Sequence, residues 1–144
     1  MRLAALIIGF AAIAAAGCRS LTEPNAVDIR FSSYIVSVAP ADSQAEAITA
    51  TGTTGAIVIV GRLKTPSSCF ALTPRVQRTG ASIVATIGAR ETTTACDASP
   101  ALYGYVLRIG GLPPGDYQLA ISYDVGDPAP DAIWTPLYAT LHVY

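Results

Sequence analysis

The chain has 144 residues, of which 51% are hydrophobic and 13% charged, and its formal net charge is -1. An intrinsically disordered protein is poorer in apolar residues and richer in charge, so this composition excludes that class and suits one domain with its own core. The arginines and the single Lys64 are scattered along the sequence. Because nucleic-acid binding needs a basic patch, we expect no nucleic acid as partner.

The first eighteen residues have the pattern of an export signal. Arg2 precedes an apolar run, which ends in the small residues Ala15-Ala16-Gly17 and then Cys18. A basic start, a short hydrophobic stretch and small residues before a cleavage point are typical of a secretory signal peptide. Ala-Ala-Gly-Cys resembles the lipobox of bacterial lipoproteins, in which the cysteine thiol is acylated and becomes the mature N-terminus.

That resemblance implies a signal peptide over residues 1–17, a lipid on Cys18 and a polar tether over residues 18–26. The protein would be exported and anchored in the bacterial cell envelope. Arg19 stands where an aspartate commonly retains lipoproteins at the inner membrane, which implies the outer membrane if the organism has one. Two alternatives remain: cleavage after Ala16 without lipid, and an uncleaved helix, although spanning a bilayer takes about 20 apolar residues.

Cysteine usage fits export. If Cys18 carries lipid, Cys69 and Cys96 remain as a pair in an oxidising compartment and are expected to form a disulfide. A metal site would need further ligands, and the single histidine, His142, lies far along the chain. We therefore expect neither a metal ion nor a cofactor.

The remainder of the chain, residues 27–144, has the alternation of β-strands. Two apolar runs of opposite phase come first, Val27/Ile29/Phe31 and Tyr34/Val36/Val38. The slip at Ser32-Ser33 predicts a bulge or a crossing between sheets, because a shift of one residue turns every later side chain to the other face. A short strand is expected over residues 45–51. The continuous run 56–60 predicts a central strand covered on both faces.

The next strands carry their own markers. A strand from Cys69 to Gln77 contains Pro74, which cannot donate to a ladder and therefore predicts an edge strand or a bulge. Residues 82–89 alternate and are expected to bury Ile83, Ala85 and Ile87 on one face. The polar segment 91–96 that follows predicts a loop.

The last third of the chain has the clearest pattern. Two strands should each place four residues on one face, Tyr103/Tyr105/Leu107/Ile109 and Tyr117/Leu119/Ile121/Tyr123. Residues 110–115 connect them, and a final strand covers about 133–144. Around seven short strands at regular spacing predict a single antiparallel β-sandwich.

The segment Gly111-Leu112-Pro113-Pro114-Gly115-Asp116-Tyr117 resembles the corner before a late strand of immunoglobulin-like and of transthyretin-like or carboxypeptidase-regulatory-like domains. The resemblance implies an immunoglobulin-like sandwich. The residues also make physical sense there. Pro113 and Pro114 rigidify the approach, Gly115 can adopt a positive φ, and the Tyr117 hydroxyl can bond to backbone at the corner.

Residues for catalysis are few, so we do not expect an enzyme. A serine hydrolase needs a base beside its nucleophile, and His142 stands near the end of the last predicted strand without a Gly-x-Ser-x-Gly motif elsewhere. Asp124, Asp127 and Asp131 could offer oxygens to calcium, but their spacing lacks the pattern of a calcium loop. A solvated acidic loop is the simpler interpretation.

Two kinds of function fit these observations. The first is a non-catalytic structural or protein-binding module of the cell envelope, which uses loops or an exposed edge strand. The second is a carbohydrate- or small-ligand-binding module. Its basis is an aromatic stripe on the last strand that follows from period two, Trp134/Tyr138/His142/Tyr144. Trp134 and Tyr138 are its candidate ligand contacts, and packing of the same rings in the core is the competing interpretation.

Overall fold

In a computed structural model, the described residues are 25–38, 46–93, 99–126 and 133–144, without the side chains of 133–135. The expected signal peptide, Cys18, most of the tether, Cys96, Asp127 and Asp131 lie outside these ranges. Within them there are eight strands and no helix, so none that could cross a bilayer. The strands are β1 (Asp28–Val38), β2 (Ile48–Thr53), β3 (Ala56–Thr65), β4 (Phe70–Thr79), β5 (Ser82–Glu91), β6 (Ala101–Gly110), β7 (Gly115–Val125) and β8 (Ile133–Val143).

The strands form two four-stranded sheets, and the predicted all-β sandwich is confirmed. Sheet A has the order β1-β6-β3-β2 and sheet B the order β4-β5-β7-β8. All neighbours are antiparallel except β5 and β7, which run parallel with Ile83 opposite Leu119. Parallel neighbours need a long crossover. Here β6, which lies in the other sheet, is part of that crossover.

The predicted inward faces of β5, β6 and β7 are confirmed. Their side chains meet those of β3 between the sheets and are almost fully buried. The large members among them, together with Ala85, are Ile57, Ile59, Leu63, Ile83, Ile87, Tyr105, Leu107, Ile109, Leu119, Ile121 and Tyr123. Alternation with period two therefore identified the core of this sandwich correctly, since each of these strands has one face against the other sheet.

In β1 the irregularity lies later than predicted. The strand pairs with β6 without interruption through Ser33, which stands opposite Tyr105, and the register shifts only between Ile35 and Ser37. Ser33 is exposed although it occupies an inward position. A serine can occupy an inward position at the margin of the sandwich because it remains exposed to solvent there. The two serines therefore do not shift the register of β1 against β6. The predicted slip at Ser32-Ser33 is therefore wrong.

The prediction for β3 is half right. It is an interior strand of sheet A, between β6 and β2, and Ile57 and Ile59 are fully buried. Its other face is covered only in part, because Ala56 is fully buried and Val58 half-buried, whereas Val60 is 46% exposed. The continuous apolar run therefore marks one fully buried face and a second face that is buried at Ala56 and exposed at Val60. Pro74 lies in β4, which is an edge strand of sheet B as its proline predicts.

One margin of the sandwich is closed by backbone hydrogen bonds. The Gly55 N–H donates to the Tyr144 carbonyl at 3.0 Å, and the Tyr144 N–H donates to the Thr53 carbonyl at 3.2 Å. Gly52 lies so close to the His142 carbonyl that a Cβ would overlap it. At the opposite margin, no backbone hydrogen bond joins β1 to β4 in the described ranges. The margin at β1 and β4 is therefore the open one.

Candidate functional site

His142 is held by a carboxylate and an aromatic ring. Its Nδ1 lies 2.6 Å from Asp116 Oδ1, and its ring meets that of Tyr144 edge-to-face with centroids 4.8 Å apart. All three side chains are exposed to solvent. No hydroxyl nucleophile is bonded to His142 in the described part of the chain. The arrangement orients an imidazole on the surface but does not form a triad.

Within the described ranges, the acidic residues do not form a metal site. Asp124 is paired with Arg90, with Oδ2 2.7 Å from the guanidinium, and its carbonyl accepts from the same group at 2.8 Å. Asp127 and Asp131, the other members of the suggested calcium loop, lie outside the described residues. Within those ranges no three His, Cys, Asp or Glu side chains are grouped closely enough to hold a metal ion.

The aromatic stripe of the last strand is interrupted by a bulge. Tyr138 pairs with Ala120, but the register then shifts, so that Trp134 pairs with Tyr123. The period-two relationship between positions 134 and 138 is therefore lost, because β8 has one extra residue between them. Tyr138 is 75% exposed. The side chain of Trp134 lies outside the described part of the structure.

A surface depression of about 340 Å³ adjoins Tyr138. Its lining comes from three strands of sheet B, with Tyr138 as its aromatic member. The lining residues are Ser82, Gln118, Leu119, Ala120, Tyr138, Ala139 and Thr140. Such a depression suits one ring stacked on Tyr138 with hydroxyls directed to Gln118 and Thr140, which is the geometry that a sugar or another small polar ligand would need.

The corner motif, residues 111–117, is held by contacts of the Tyr117 side chain. The Tyr117 hydroxyl donates to the Pro113 carbonyl at 2.9 Å, and the Arg78 guanidinium lies over the Tyr117 ring, 5.5 Å from its centroid. Gly115 has a φ of 150°, which an L side chain rarely adopts. The ring of Tyr117 is buried. These residues fix the passage of the chain from sheet A to sheet B, so their role is structural.

Of the two cysteines predicted to form a disulfide, only Cys69 lies within the described ranges. The Cys69 carbonyl accepts from the Thr92 N–H at 2.8 Å and from the Thr92 hydroxyl at 2.7 Å. This fastens the end of β5 to the start of β4. Cys96 follows Thr92 by four residues, a stretch of at most about 14 Å, and it lies outside the described ranges. The Cys69–Cys96 disulfide therefore stays a prediction.

Strand β1 presents an exposed apolar edge, a feature that the alternation alone did not reveal. Nine large hydrophobic side chains are exposed in the described ranges, and five of them belong to β1. They are Ile29, Tyr34, Ile35, Val36 and Val38. Among the described strands β1 pairs only with β6, so its other edge is unpaired. We call this edge, residues 28–38, the β1 edge.

The β1 edge lacks the protection that its neighbour has. Natural sheets block their edges with proline, charge, bulges or short length. At the same margin of the sandwich, β4 carries Pro74 and Arg75 in mid-strand. β1 spans eleven residues without a proline, and its charged residues, Asp28 and Arg30, stand at its beginning. Only the irregularity after Ile35 interrupts it, so an extended segment could pair with most of its length.

No protein-family model matches this chain, and no curated protein or solved structure matches it either. The fold and its exposed features define the class, an all-β sandwich with one closed and one open margin. An assignment of function rests on the chain's own residues.

Proposed function

We propose that the chain is a lipid-anchored, non-catalytic protein of the bacterial cell envelope, whose immunoglobulin-like or transthyretin-like sandwich binds a protein partner through the β1 edge. The lipobox ending at Cys18 supports the anchor and the location. The observation that carries the binding role is the unprotected, apolar β1 edge.

Pairing of an extended peptide with an open edge is a known mode of protein recognition. Backbone hydrogen bonds supply the affinity, and alternate side chains on either side of the strand supply the specificity. On β1 the inward-facing side chains Ile29 and Ile35 are 40% and 47% exposed, because the open margin leaves them incompletely covered. A partner strand with apolar residues at alternate positions would cover them. The occupant we infer is therefore an extended, apolar segment of another envelope protein.

The anchor and the β1 edge lie close together in the chain. Cys18 precedes Asn25, where the described domain begins, by seven residues, which reach at most about 25 Å when extended. The intervening segment is polar and contains Pro24. A tether of this length keeps the domain beside the bilayer. A partner at the β1 edge would accordingly belong to the same membrane or lie close to its surface.

The binding role can be tested by crosslinking from the edge itself. A photoreactive amino acid at position 29, an inward position of β1 that is 40% exposed at the open margin, should crosslink one envelope protein in living cells. A second change, Ile35→Lys, should abolish that product, because it places a charge in the apolar contact. The matched control is Val84→Lys, at a side chain that is 41% exposed on the outward face of sheet B. Equal crosslinking in both variants would rule out the β1 edge as the binding site.

The anchor has a test of its own. Intact mass and membrane partition should be measured for the wild type and for Cys18→Ser. Acyl mass and membrane fractionation that disappear in Cys18→Ser are the expected result. A wild type that is soluble at the mass of a chain cut after Ala16 would contradict lipidation and leave a secreted binding module.

A second candidate is a carbohydrate- or small-ligand-binding module centred on Tyr138. The observation in its favour is the exposed Tyr138 ring beside the depression of about 340 Å³. Binding to a panel of envelope glycans would test it, with Tyr138→Ala expected to abolish any signal. Tyr144→Ala is the control, since Tyr144 is 67% exposed but does not line the depression. Equal loss in both variants would contradict this site.

A further inference from the structure

Strand pairing gathers four basic residues that are scattered in the sequence. Arg30 stands directly opposite Arg108, Arg62 opposite Gly104, and Lys64 opposite Leu102. All four alternate with inward-facing residues of their strands, so they project from the outside of sheet A. We call this surface the basic face and define it by Arg30, Arg62, Lys64 and Arg108.

Positive charge on the basic face is only partly neutralised. Asp28 Oδ2 lies 3.5 Å from Arg30, and Glu46 Oε1 accepts from the backbone N–H of Lys64 at 2.9 Å. Against four cations, these two carboxylates leave two positive charges in excess among the described residues. Like charges directly opposite on neighbouring strands destabilise a sheet. Asp28 offsets part of the repulsion between Arg30 and Arg108, and an external anion against the pair would offset more of it.

The outside of sheet B is different. Its Arg90 is paired with Asp124 at 2.7 Å, and its Asp116 is paired with His142. Arg75 remains as an exposed cation without an ion pair in the described ranges. Among the described residues, the outsides of the two sheets therefore differ in charge.

The centre of the basic face is apolar and aromatic. Val60 is 46% exposed and pairs with Val106, which is partly exposed. The Tyr34 ring lies over Gly104, where a Cβ would crowd it, and remains 58% exposed. A tyrosine ring with valines inside a rim of arginine and lysine suits the boundary between headgroups and acyl chains, where apolar contact and attraction to anionic lipids act together.

We propose that the basic face docks on the anionic phospholipid headgroups of the membrane that holds the Cys18 anchor. This inference rests on the proposed lipidation for its geometry. The tether's reach of about 25 Å exceeds the width of a four-stranded sheet, about 19 Å, so the face can lie on the bilayer. A partner strand would bond to the β1 edge in the plane of the sheet, so docking of the basic face leaves the backbone groups of that edge free for a protein partner.

The test uses the mature chain with Cys18→Ser, which carries no lipid, and vesicles of phosphatidylcholine with or without phosphatidylglycerol. We expect binding to the anionic vesicles only, weakened by added salt. Each juxtamembrane cation contributes about a fivefold factor in binding, so Arg62→Glu and Arg108→Glu should each weaken binding at least about fivefold. Arg75→Glu is the matched control, with the same change of net charge on the outside of sheet B, and should alter binding less than about twofold. Thermal melts verify folding of each variant.

Three outcomes would overturn the proposal. One is equal binding to neutral and anionic vesicles, and another is an equal effect of Arg75→Glu and Arg62→Glu. The third is binding to soluble poly-glutamate without binding to vesicles, which would indicate an acidic protein partner. The assay uses protein without the Cys18 lipid, so a failure to bind vesicles does not depend on whether Cys18 is acylated. Lipidation is tested separately, by the intact mass of the wild type.

Discussion

The hydroxyl of Tyr105 lies 2.8 Å from the hydroxyl of Tyr123, across the interior of the sandwich. Tyr105 belongs to sheet A and Tyr123 to sheet B, and their rings meet edge-to-face with centroids 6.2 Å apart. Both side chains are at most 1% exposed. A polar bond thus joins the two sheets inside an apolar core, where an unmade hydrogen bond is costly.

This pair should show strong coupling in a double-mutant cycle. Tyr105→Phe or Tyr123→Phe removes one hydroxyl and deprives the other of this bond, so each should lower the free energy of unfolding by about 1 to 3 kcal/mol. The double variant removes both hydroxyls and should lose less than the sum of the two. Urea unfolding measures all three. Additive losses would mean that the hydroxyls act independently.

The same pair predicts sensitivity to alkaline pH. Burial raises the pKa of Tyr105 well above its ordinary value of 10.0, and burial also raises the pKa of Tyr123. Above pH 10 the unfolded chain releases protons that the folded chain retains, so stability should fall as pH rises. The slope is about 1.4 kcal/mol per pH unit for each tyrosine. Urea unfolding between neutral pH and pH 11 should show this decline, and Tyr105→Phe should make it shallower. Identical slopes would contradict the assignment.

Gly61 is expected to tolerate no side chain. It pairs with Tyr105, and a Cβ at this position would overlap the buried Tyr105 ring. Gly61→Ala should therefore cost at least about 2 kcal/mol, since the ring cannot move aside in the core. The control is Gly104→Ala, which meets the exposed ring of Tyr34 and should cost less than about 1 kcal/mol because that ring can rotate away. Similar losses in the two variants would contradict this account.

Tyr117 should stabilise the corner through its hydroxyl. Tyr117→Phe keeps the buried ring but removes the hydrogen bond to the Pro113 carbonyl. A loss of about 1 to 2 kcal/mol is expected in chemical denaturation. Tyr138→Phe, at an exposed ring, serves as the comparison and should be neutral. An unchanged stability of Tyr117→Phe would show that packing of the ring alone holds the corner.

The predicted disulfide has a thermodynamic signature. On the chain-entropy estimate, closing the loop from Cys69 to Cys96 contributes about 3 to 4 kcal/mol. Reduction should lower the melting temperature by about 10 °C or more in a domain of this size. Cys69→Ser and Cys96→Ser should melt at the temperature of the reduced wild type and should not respond to reductant. A melting curve that reductant leaves unchanged would argue against a structural disulfide.

Much of the sandwich follows from local pattern. The alternation in β5, β6 and β7 identified the inward faces, and Pro74 marked an edge strand, because these signals depend only on which side of a strand must avoid water. The same logic failed at Ser32-Ser33, where polar residues at the margin keep the register, and at Val60, which is 46% exposed on a face predicted to be covered. How many faces of a strand are buried depends on its neighbours.

The candidate sites likewise divide into features that the sequence predicts and features that only the tertiary structure shows. By itself, the sequence determined the class of the fold and placed the corner at Pro113-Pro114-Gly115, since both depend on short stretches of chain, while the export signal ending at Cys18 stays a prediction. Only the tertiary structure decided that Arg30 faces Arg108, that a bulge separates Trp134 from Tyr138, and that β1 has an open edge. The physical reason is that strand pairing joins residues far apart in the sequence and depends on the packing of both sheets. Local periodicity does not encode which strands pair.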